Sequence, residues 1–95
     1  MVAYIVASID VLAPERYEGY KSAASASIAA HGGKYLVRGG EIVRLEGRWH
    51  PKRFVVVEFP SSEQAKKWWE SVDYAGPKQL RQSSAETDMF IVEGV

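Results

Sequence analysis

Cysteine is absent from this chain of 95 residues. Without thiols the protein has no disulfides, no thiolate nucleophile and no thiolate ligand for a metal. The two histidines, His31 and His50, complete no carboxylate–histidine motif, so we expect neither a metal nor another cofactor. Long hydrophobic runs and an apolar leader are also absent, which predicts a cytoplasmic protein without membrane contact.

The chain also lacks a net charge, because twelve basic residues balance twelve acidic ones. No electrostatic signature therefore favours nucleic acid or an anionic surface as a partner. The composition that remains, 46% hydrophobic and 25% charged, is typical of a globular protein. A chain of this length has room for one core, so residues 1–95 are expected to form a single domain.

The first half of the chain predicts two strands around one helix. Val2–Ile9 is a short apolar run typical of a strand, and Pro14 suits the first turn of a helix that continues to about Ala30. Gly32 lies where a helix C-terminus favours glycine. Lys34–Arg38 predicts a second strand, and we expect it to continue through Glu41–Leu45 past a bulge at Gly39-Gly40.

The second half predicts two strands, a helix and a short helical turn. Arg53–Phe59 is rich in valine and indicates a largely buried strand. Ser61 and Gln64 have the spacing of a capping box, and the helix after them carries one apolar face. That face consists of Ala65, Trp68, Trp69 and Val72. We expect a break from Asp73 to Pro77, a helical turn over Lys78–Ser84, and a last strand at Met89–Val92.

This order of elements predicts an α+β fold of the ferredoxin-like βαββαβ type. Four antiparallel strands form a sheet, and two helices cover one of its faces. The first and third strands carry apolar side chains on both faces, for example Ile5 beside Tyr4 and Val57 beside Val56. A second apolar face exposed to water is unfavourable, so we expect another copy of the chain to cover it in a two-fold homodimer. Such an interface buries on the order of 1,600 Å².

The sequence also resembles the domain-of-unknown-function 1330 family, in the dimeric α+β barrel superfamily, over essentially its whole length. The resemblance rests on Tyr17, Tyr20, His31-Gly32-Gly33, Arg38-Gly39-Gly40, Glu46-Gly47, Trp49, Pro51, Arg53, Glu58-Phe59-Pro60-Ser61, Ala65, Trp69, Ser71, Tyr74, Arg81 and Val92-Glu93-Gly94. The family commonly has an aspartate where this chain has Ala13, which predicts a first helix without its usual cap.

The resemblance implies a homodimer whose two sheets close into one eight-stranded barrel. It also implies a small-molecule pocket between each sheet and its helices. It implies no particular reaction, although the superfamily includes cofactor-free mono-oxygenases and haem enzymes, because one fold hosts many chemistries.

His31 is the candidate catalytic residue, since imidazole titrates near neutral pH. The alternative is that His31 only stabilises the end of the first helix. Arg38 and Arg81 are candidates to bind a carboxylate of the substrate, each with an ion pair as the alternative (for Arg38, to Glu46, Glu58 or Asp88). Glu58 lies in an apolar strand, so we expect it to pair with an arginine or to be protonated and functional.

Aromatic side chains are the candidate walls of the pocket. Tyr17, Tyr20 and Trp69 have apolar bodies with polar tips, which suit an aromatic ligand, although a stripe of aromatic residues on a helix also forms ordinary core. Tyr74 precedes Gly76-Pro77 and is either a lid or a loop anchor.

Three functions follow from these residues. The favoured one is a homodimer that binds or acts on a small organic molecule, aromatic or carboxylic. The alternative is a non-catalytic structural or interaction homodimer without a ligand. RNA binding on the same fold is disfavoured, because Arg53–Phe59 lacks the glycines of an RNA-recognition strand and its Phe54 and Phe59 point to opposite faces.

Overall fold

A computed structural model describes residues 1–95 as one two-layer α+β unit. The four-stranded antiparallel sheet has the order β2-β3-β1-β4, and three helices connect its strands. In chain order the elements are β1 (Ala3–Val11), α1 (Pro14–Ala30), β2 (Lys34–Arg38), β3 (Arg53–Phe59), α2 (Ser62–Trp69), α3 (Val72–Ser84) and β4 (Ala85–Glu93). This is the predicted ferredoxin-like topology, with one helix more than expected.

The strand register separates the sheet into two faces. Successive side chains of a strand point to opposite sides, so residues paired across strands share a face. The helix-covered face includes Ala3, Ile5, Ala7, Ile9, Val57 and Phe59, all of them buried. The opposite face, here called the helix-free face, includes Tyr4, Val6, Phe54, Val56, Phe90 and Val92. Phe90 and Val92 are 58% and 50% exposed, so this apolar face is open in the single chain.

Helix α1 has the predicted stripe and the predicted ends. Tyr17, Tyr20, Ala24 and Ile28 are buried on one side of it. Ala13 provides no side-chain cap, as its identity predicts. At the other end Gly32 adopts a φ of 78°, and its backbone N–H donates to the Ala29 carbonyl at 3.1 Å. A left-handed glycine thus ends the helix and turns the chain into β2.

The predicted strand extension over Glu41–Leu45 is wrong, as is the predicted position of the bulge. Arg38 pairs with Val55, and β3 begins at Arg53, only two residues before Val55. Antiparallel pairing therefore leaves residues beyond Gly39 without a neighbouring strand, and they form a loop. The bulge lies between Tyr35 and Val37, within β2.

The predicted break from Asp73 to Pro77 is also wrong. α3 is continuous from Val72 to Ser84 and includes Pro77. The Ser71 hydroxyl accepts the Tyr74 backbone N–H at 3.2 Å and starts this helix, so the missing N–H of Pro77 costs one bond near the N-terminus. Val72 begins α3 and is 91% exposed, so it does not belong to the apolar face of α2.

The predicted capping box at the start of α2 is half formed. The Ser61 hydroxyl accepts the Gln64 backbone N–H at 3.1 Å, as expected for an N-cap. The Gln64 side chain does not return to Ser61. Its amide donates instead to the carbonyl of His31 at 3.2 Å and joins α2 to the end of α1. None of the three helices is long and apolar enough to cross a bilayer.

Candidate functional site

A small cavity of about 30 Å³ lies between the helix-covered face and α1. Its polar and aromatic lining consists of Tyr17, Tyr20, Lys21, Tyr35, Arg38 and Arg53, over an apolar floor of strand residues such as Val55 and Val57. A volume of this size accommodates about one water molecule. The cavity is therefore nearly closed in this conformation, with cationic side chains beside phenol rings in its wall.

Arg53, at the start of β3, is the most unusual residue of this wall. Its guanidinium carbon lies 5.7 Å from the centre of the Tyr17 ring, and its Nε atom is buried without a hydrogen-bond partner. No carboxylate forms an ion pair with it, since the structure contains only the pair between Lys21 and Glu18. A buried N–H of a cation without an acceptor is costly.

Arg38 lies across the mouth of the cavity. Its terminal nitrogen donates to the backbone carbonyl of Lys21 at 3.2 Å, which connects the edge strand β2 to α1. Its guanidinium carbon also lies 4.5 Å from the centre of the Tyr35 ring, within the range of a cation–π interaction. The side chain is exposed, and the alternative expectation that it pairs with a carboxylate is wrong.

Burial favours the protonated form of two phenols of the cavity, Tyr17 and Tyr20. Desolvation raises the pKa of Tyr17, although the nearby Arg53 charge opposes this shift. Desolvation raises the pKa of Tyr20 much further, and the adjacent Tyr74 hydroxyl adds to the effect. Both hydroxyls are consequently neutral hydrogen-bond donors at any physiological pH.

A hydrogen-bonded chain leads from Tyr20 into the helix layer. The Tyr20 and Tyr74 hydroxyl oxygens are 2.7 Å apart, and the Nε atom of Arg81 donates to the Tyr74 hydroxyl at 3.2 Å. Arg81 is only 3% exposed and forms no ion pair, which contradicts the alternative expectation of a carboxylate partner. Tyr74 is fully buried within α3, so it is neither a lid nor a loop anchor. Arg81 does not line the cavity itself.

His31 lies outside the cavity lining. Its Nδ1 atom donates to the Ser27 carbonyl at 2.9 Å, so the ring covers the last turn of α1. This contact agrees with the alternative expectation that His31 stabilises the end of α1. A role for His31 as acid or base stays a prediction.

Glu58 and Trp69 also lie away from the cavity. Glu58 is on the helix-free face, opposite Tyr4 and Lys34, and the expected pairing with an arginine is wrong. Trp69 is half-buried and lines a separate apolar crevice of about 290 Å³ beside β4, next to Phe90. The Lys78 ammonium lies 4.4 Å from the centre of its ring.

Sequence reasoning missed Arg53, Tyr35 and Lys21 as lining residues. Strand alternation was the available signal for Arg53, because it stands two residues before Val55 and four before Val57 on the same face. Tyr35 required the register of β2, which the misplaced bulge obscured. Lys21 follows Tyr20 on α1, and its position in the lining depends on how α1 lies over the edge of the sheet.

Solved structures share this architecture. RPA0582, a protein of unknown function from Rhodopseudomonas palustris, matches with a TM-score of 0.82 at 15% identity, over 99% of this chain and 82% of that one. SnoaB from Streptomyces nogalater, a cofactor-independent oxygenase, matches with a TM-score of 0.65 at 11% identity, over 99% and 92% of the two chains. A Nitrosomonas europaea protein classed among the antibiotic biosynthesis monooxygenases matches with a TM-score of 0.58 at 20% identity, over 100% and 99%. At these identities the likeness shows the fold alone.

The chain is therefore a ferredoxin-like α+β protein of the architecture shared with antibiotic biosynthesis monooxygenases. Residues 2–95 match the domain of unknown function DUF1330, and the chain belongs to that family. The resemblance inferred from the sequence is thus confirmed. A comparison with curated proteins found no match.

Proposed function

We propose that this protein binds a small organic carboxylate, with an aromatic or otherwise apolar body, in the cavity beneath α1. One observation carries the proposal: Arg38 and Arg53 both border an apolar cavity, and neither has a carboxylate partner within the chain. A guanidinium binds a carboxylate through two parallel hydrogen bonds, so either arginine suits the acidic group of a ligand. The buried Nε of Arg53 makes it the principal anion site.

The remaining lining suits the body of such a ligand. Tyr17, Tyr20 and Tyr35 line the cavity, and aliphatic strand residues such as Ile5, Val55 and Val57 complete its apolar part. Pockets of this kind combine an apolar lining with a few polar groups that fix orientation. Of the candidate residues, Tyr17, Tyr20 and Arg38 line this proposed site, whereas Glu58 and Trp69 lie elsewhere.

Entry of a ligand requires the mouth of the cavity to open. A volume of about 30 Å³ is too small for an aromatic acid. Arg38 is exposed and is held to α1 by one hydrogen bond of 3.2 Å, so rotation of this side chain is the simplest opening movement. The carboxylate of the ligand replaces the Lys21 carbonyl as the acceptor of Arg38, and this exchange preserves the hydrogen bond.

We propose ligand binding and no particular reaction. SnoaB is described as a cofactor-independent oxygenase, but its 11% identity transfers no chemistry to this chain. If a reaction occurs and His31 serves it as acid or base, the His31→Ala variant will lose turnover and keep its melting midpoint. Full turnover in that variant would exclude the role.

Titration calorimetry with benzoate, phenylacetate and short aliphatic acids tests the proposal. We expect at least one aromatic acid to bind, and the Arg53→Gln variant to bind it about tenfold more weakly or worse, because a charge-assisted hydrogen bond is lost. Arg48→Gln is the matched control, since Arg48 lies exposed in the β2–β3 loop, outside the cavity lining. The absence of binding by all the acids, or equal affinity in the Arg53 variant, would contradict the proposal and favour a structural dimer without a ligand.

We also propose that the functional unit is a homodimer closed through the helix-free face. Tyr4, Val6, Phe54, Val56 and Phe90 form an apolar surface that no helix of the chain covers, and only the loop residue Trp49 packs on it, at Phe54. A surface of this type is normally buried in a partner, and a two-fold interface lets the same patch serve both subunits. Sedimentation equilibrium should give twice the 10.6 kDa of one chain. A concentration-independent monomer would exclude the dimer.

A further inference from the structure

Tyr20 is the only member of the Arg81–Tyr74–Tyr20 chain that lines the cavity. We propose that this chain makes the Tyr20 hydroxyl a fixed hydrogen-bond donor toward the cavity, which selects carboxylate ligands that carry a second oxygen acceptor, a carbonyl or a phenolate. This inference rests on the proposed binding of a carboxylate in the same cavity. It assigns Arg81 and Tyr74 as positioning residues that act on the ligand through Tyr20.

The direction of the hydrogen bonds follows from which atoms have partners. Arg81 has no acceptor atom, so its Nε donates to the Tyr74 oxygen. Tyr74 is fully buried, and its hydroxyl has one other hydrogen-bond partner, the hydroxyl of Tyr20 at 2.7 Å. Either phenol could donate in this pair, and one of the two buried protons is then left without an acceptor in the chain. We assign the shared proton to Tyr74, because only Tyr20 borders the cavity in which a ligand could accept the other one. In this arrangement the Tyr20 proton is free for an oxygen acceptor of a ligand.

The charge of Arg81 strengthens this chain. A phenol oxygen that accepts a bond from a guanidinium becomes a better donor through its own proton, and the effect passes along connected hydrogen bonds. Arg81 is 3% exposed and has no carboxylate partner, so its charge is screened little by solvent and neutralised by no side chain.

The consequence is a site with two kinds of polar contact. Arg53 and Arg38 provide charged donors for a carboxylate, and Tyr20 provides a neutral donor elsewhere on the same wall. Sites built to hydrogen-bond one particular ligand oxygen reject analogues that lack it, because the donor is then left without a partner. The preferred ligand is therefore an aromatic or apolar acid with a carbonyl or phenolate oxygen apart from its carboxylate.

Formylbenzoates and vinylbenzoates form the test pair, because a formyl oxygen accepts a hydrogen bond and a vinyl carbon of similar size does not. Ortho, meta and para isomers of each are titrated by calorimetry, together with benzoate. In the wild-type protein we expect one formyl isomer to bind about tenfold more tightly than its vinyl counterpart. Equal affinities for all three pairs would overturn the inference, and benzoate binding in the same experiment would show that the carboxylate site itself stands.

The Tyr74→Phe variant separates the chain from simple packing. It removes the hydroxyl between Arg81 and Tyr20 and keeps the ring, which stacks on Trp68 at a centroid distance of 4.0 Å. We expect the formyl-to-vinyl preference to fall toward one, while benzoate affinity changes less than about twofold. Tyr4→Phe, on the helix-free face, is the control and should keep the preference.

A formyl preference that survives in Tyr74→Phe would overturn the role of the chain. Because Tyr20→Phe removes the donor itself, loss of the preference in that variant with retention in Tyr74→Phe would assign selectivity to Tyr20 alone. If no benzoate derivative binds, both this inference and the carboxylate site fail. If benzoate binds but no isomer pair differs, only this inference fails.

Discussion

Val56 and Val57 are neighbours on β3 with the same side chain, but they lie in different environments. Val57 is 2% exposed and packs in the core beneath the helices, whereas Val56 is half-buried on the helix-free face. Phe59 and Phe90 differ in the same way, at 0% and 58% exposed. The sheet is thus apolar on both faces, and one chain covers only one of them.

The two faces also differ in what accompanies their apolar residues. The helix-covered face encloses a cavity with Arg53, a buried N–H without an acceptor, and phenols that keep their protons. On the helix-free face the apolar patch is largely open to contact, and the loop residue Trp49 packs on Phe54, with ring centroids 6.1 Å apart. Unpartnered polar groups in a cavity favour ligand recognition, and an open apolar patch favours association. The comparison therefore supports the proposed ligand site on one face and the proposed dimer interface on the other.

A large effect is expected from a charge on the helix-free face. Val56→Lys buries two lysines in a two-fold interface, which should raise the dimer dissociation constant by about 100-fold or more. The monomers should keep their fold, since Val56 lies outside the core. Sedimentation velocity over a concentration series measures the change. Val72→Lys, at a residue 91% exposed on α3, is the control, and equal dissociation of both variants would contradict the interface.

A large loss of stability is expected from the helix-covered side. Trp68→Ala removes a ring that is 1% exposed, stacks on Tyr74 and donates to the Ser27 hydroxyl at 3.0 Å. Such a truncation costs about 3–5 kcal/mol in the free energy of unfolding. Trp49→Ala, at a residue 63% exposed, should cost less than about 1 kcal/mol. Urea unfolding at one fixed protein concentration compares them, and similar losses would contradict the assignment of the core.

A smaller effect on stability is expected from alanine at two loop glycines, only one of which lies beside the cavity. Gly39 and Gly47 both have positive φ, 71° and 98°, so alanine at either should cost about 1 kcal/mol of stability. A Cβ at Gly39 would also collide with the Arg53 guanidinium, whereas one at Gly47 would have no neighbour within 4 Å. Calorimetry should show weaker carboxylate binding only for Gly39→Ala. An equal loss of affinity in both variants would contradict the role of Arg53.

Most of the sheet and both apolar faces were predictable, because strand periodicity is a local property of the sequence. The limits of β2 were not, since they depend on where β3 begins in the register. The continuity of α3 through Pro77 was also missed. The Ser71 cap starts this helix only a few residues before Pro77, so the proline lies near the N-terminus, where its missing N–H costs little.

The candidate site was predictable only in part. Tyr17, Tyr20 and Arg38 were found from helix and strand patterns, and all three line the cavity. Glu58 was misjudged because its strand has two apolar faces, so an apolar sequence context did not mean burial in the core. The contact from Arg81 to Tyr74 joins residues seven apart on α3, and its extension to Tyr20 on α1 depends on how the two helices pack.

A further effect concerns the pH dependence of stability. Burial raises the pKa of Tyr20 above its usual 10.0, so the folded protein keeps a proton that the unfolded chain releases. The stabilisation is complete below pH 10 and is lost as pH rises above that value, by about 1.4 kcal/mol per pH unit. Urea unfolding above pH 10 should therefore be less steeply pH-dependent in Tyr20→Phe than in wild type. Tyr4→Phe should resemble wild type, and identical slopes in all three proteins would contradict burial of this phenol.

Mapping of benzoate binding by NMR tests most directly whether the ligand site lies on the helix-covered face and not on the helix-free face. During a titration monitored through backbone amides and methyl groups, we predict shifts at cavity residues such as Ile28, Val55 and Val57. Val6 and Val56, on the helix-free face, should keep their resonances unchanged. Shifts concentrated on the helix-free valines, or no shifts at all, would contradict the claim that the helix-covered face holds the ligand site.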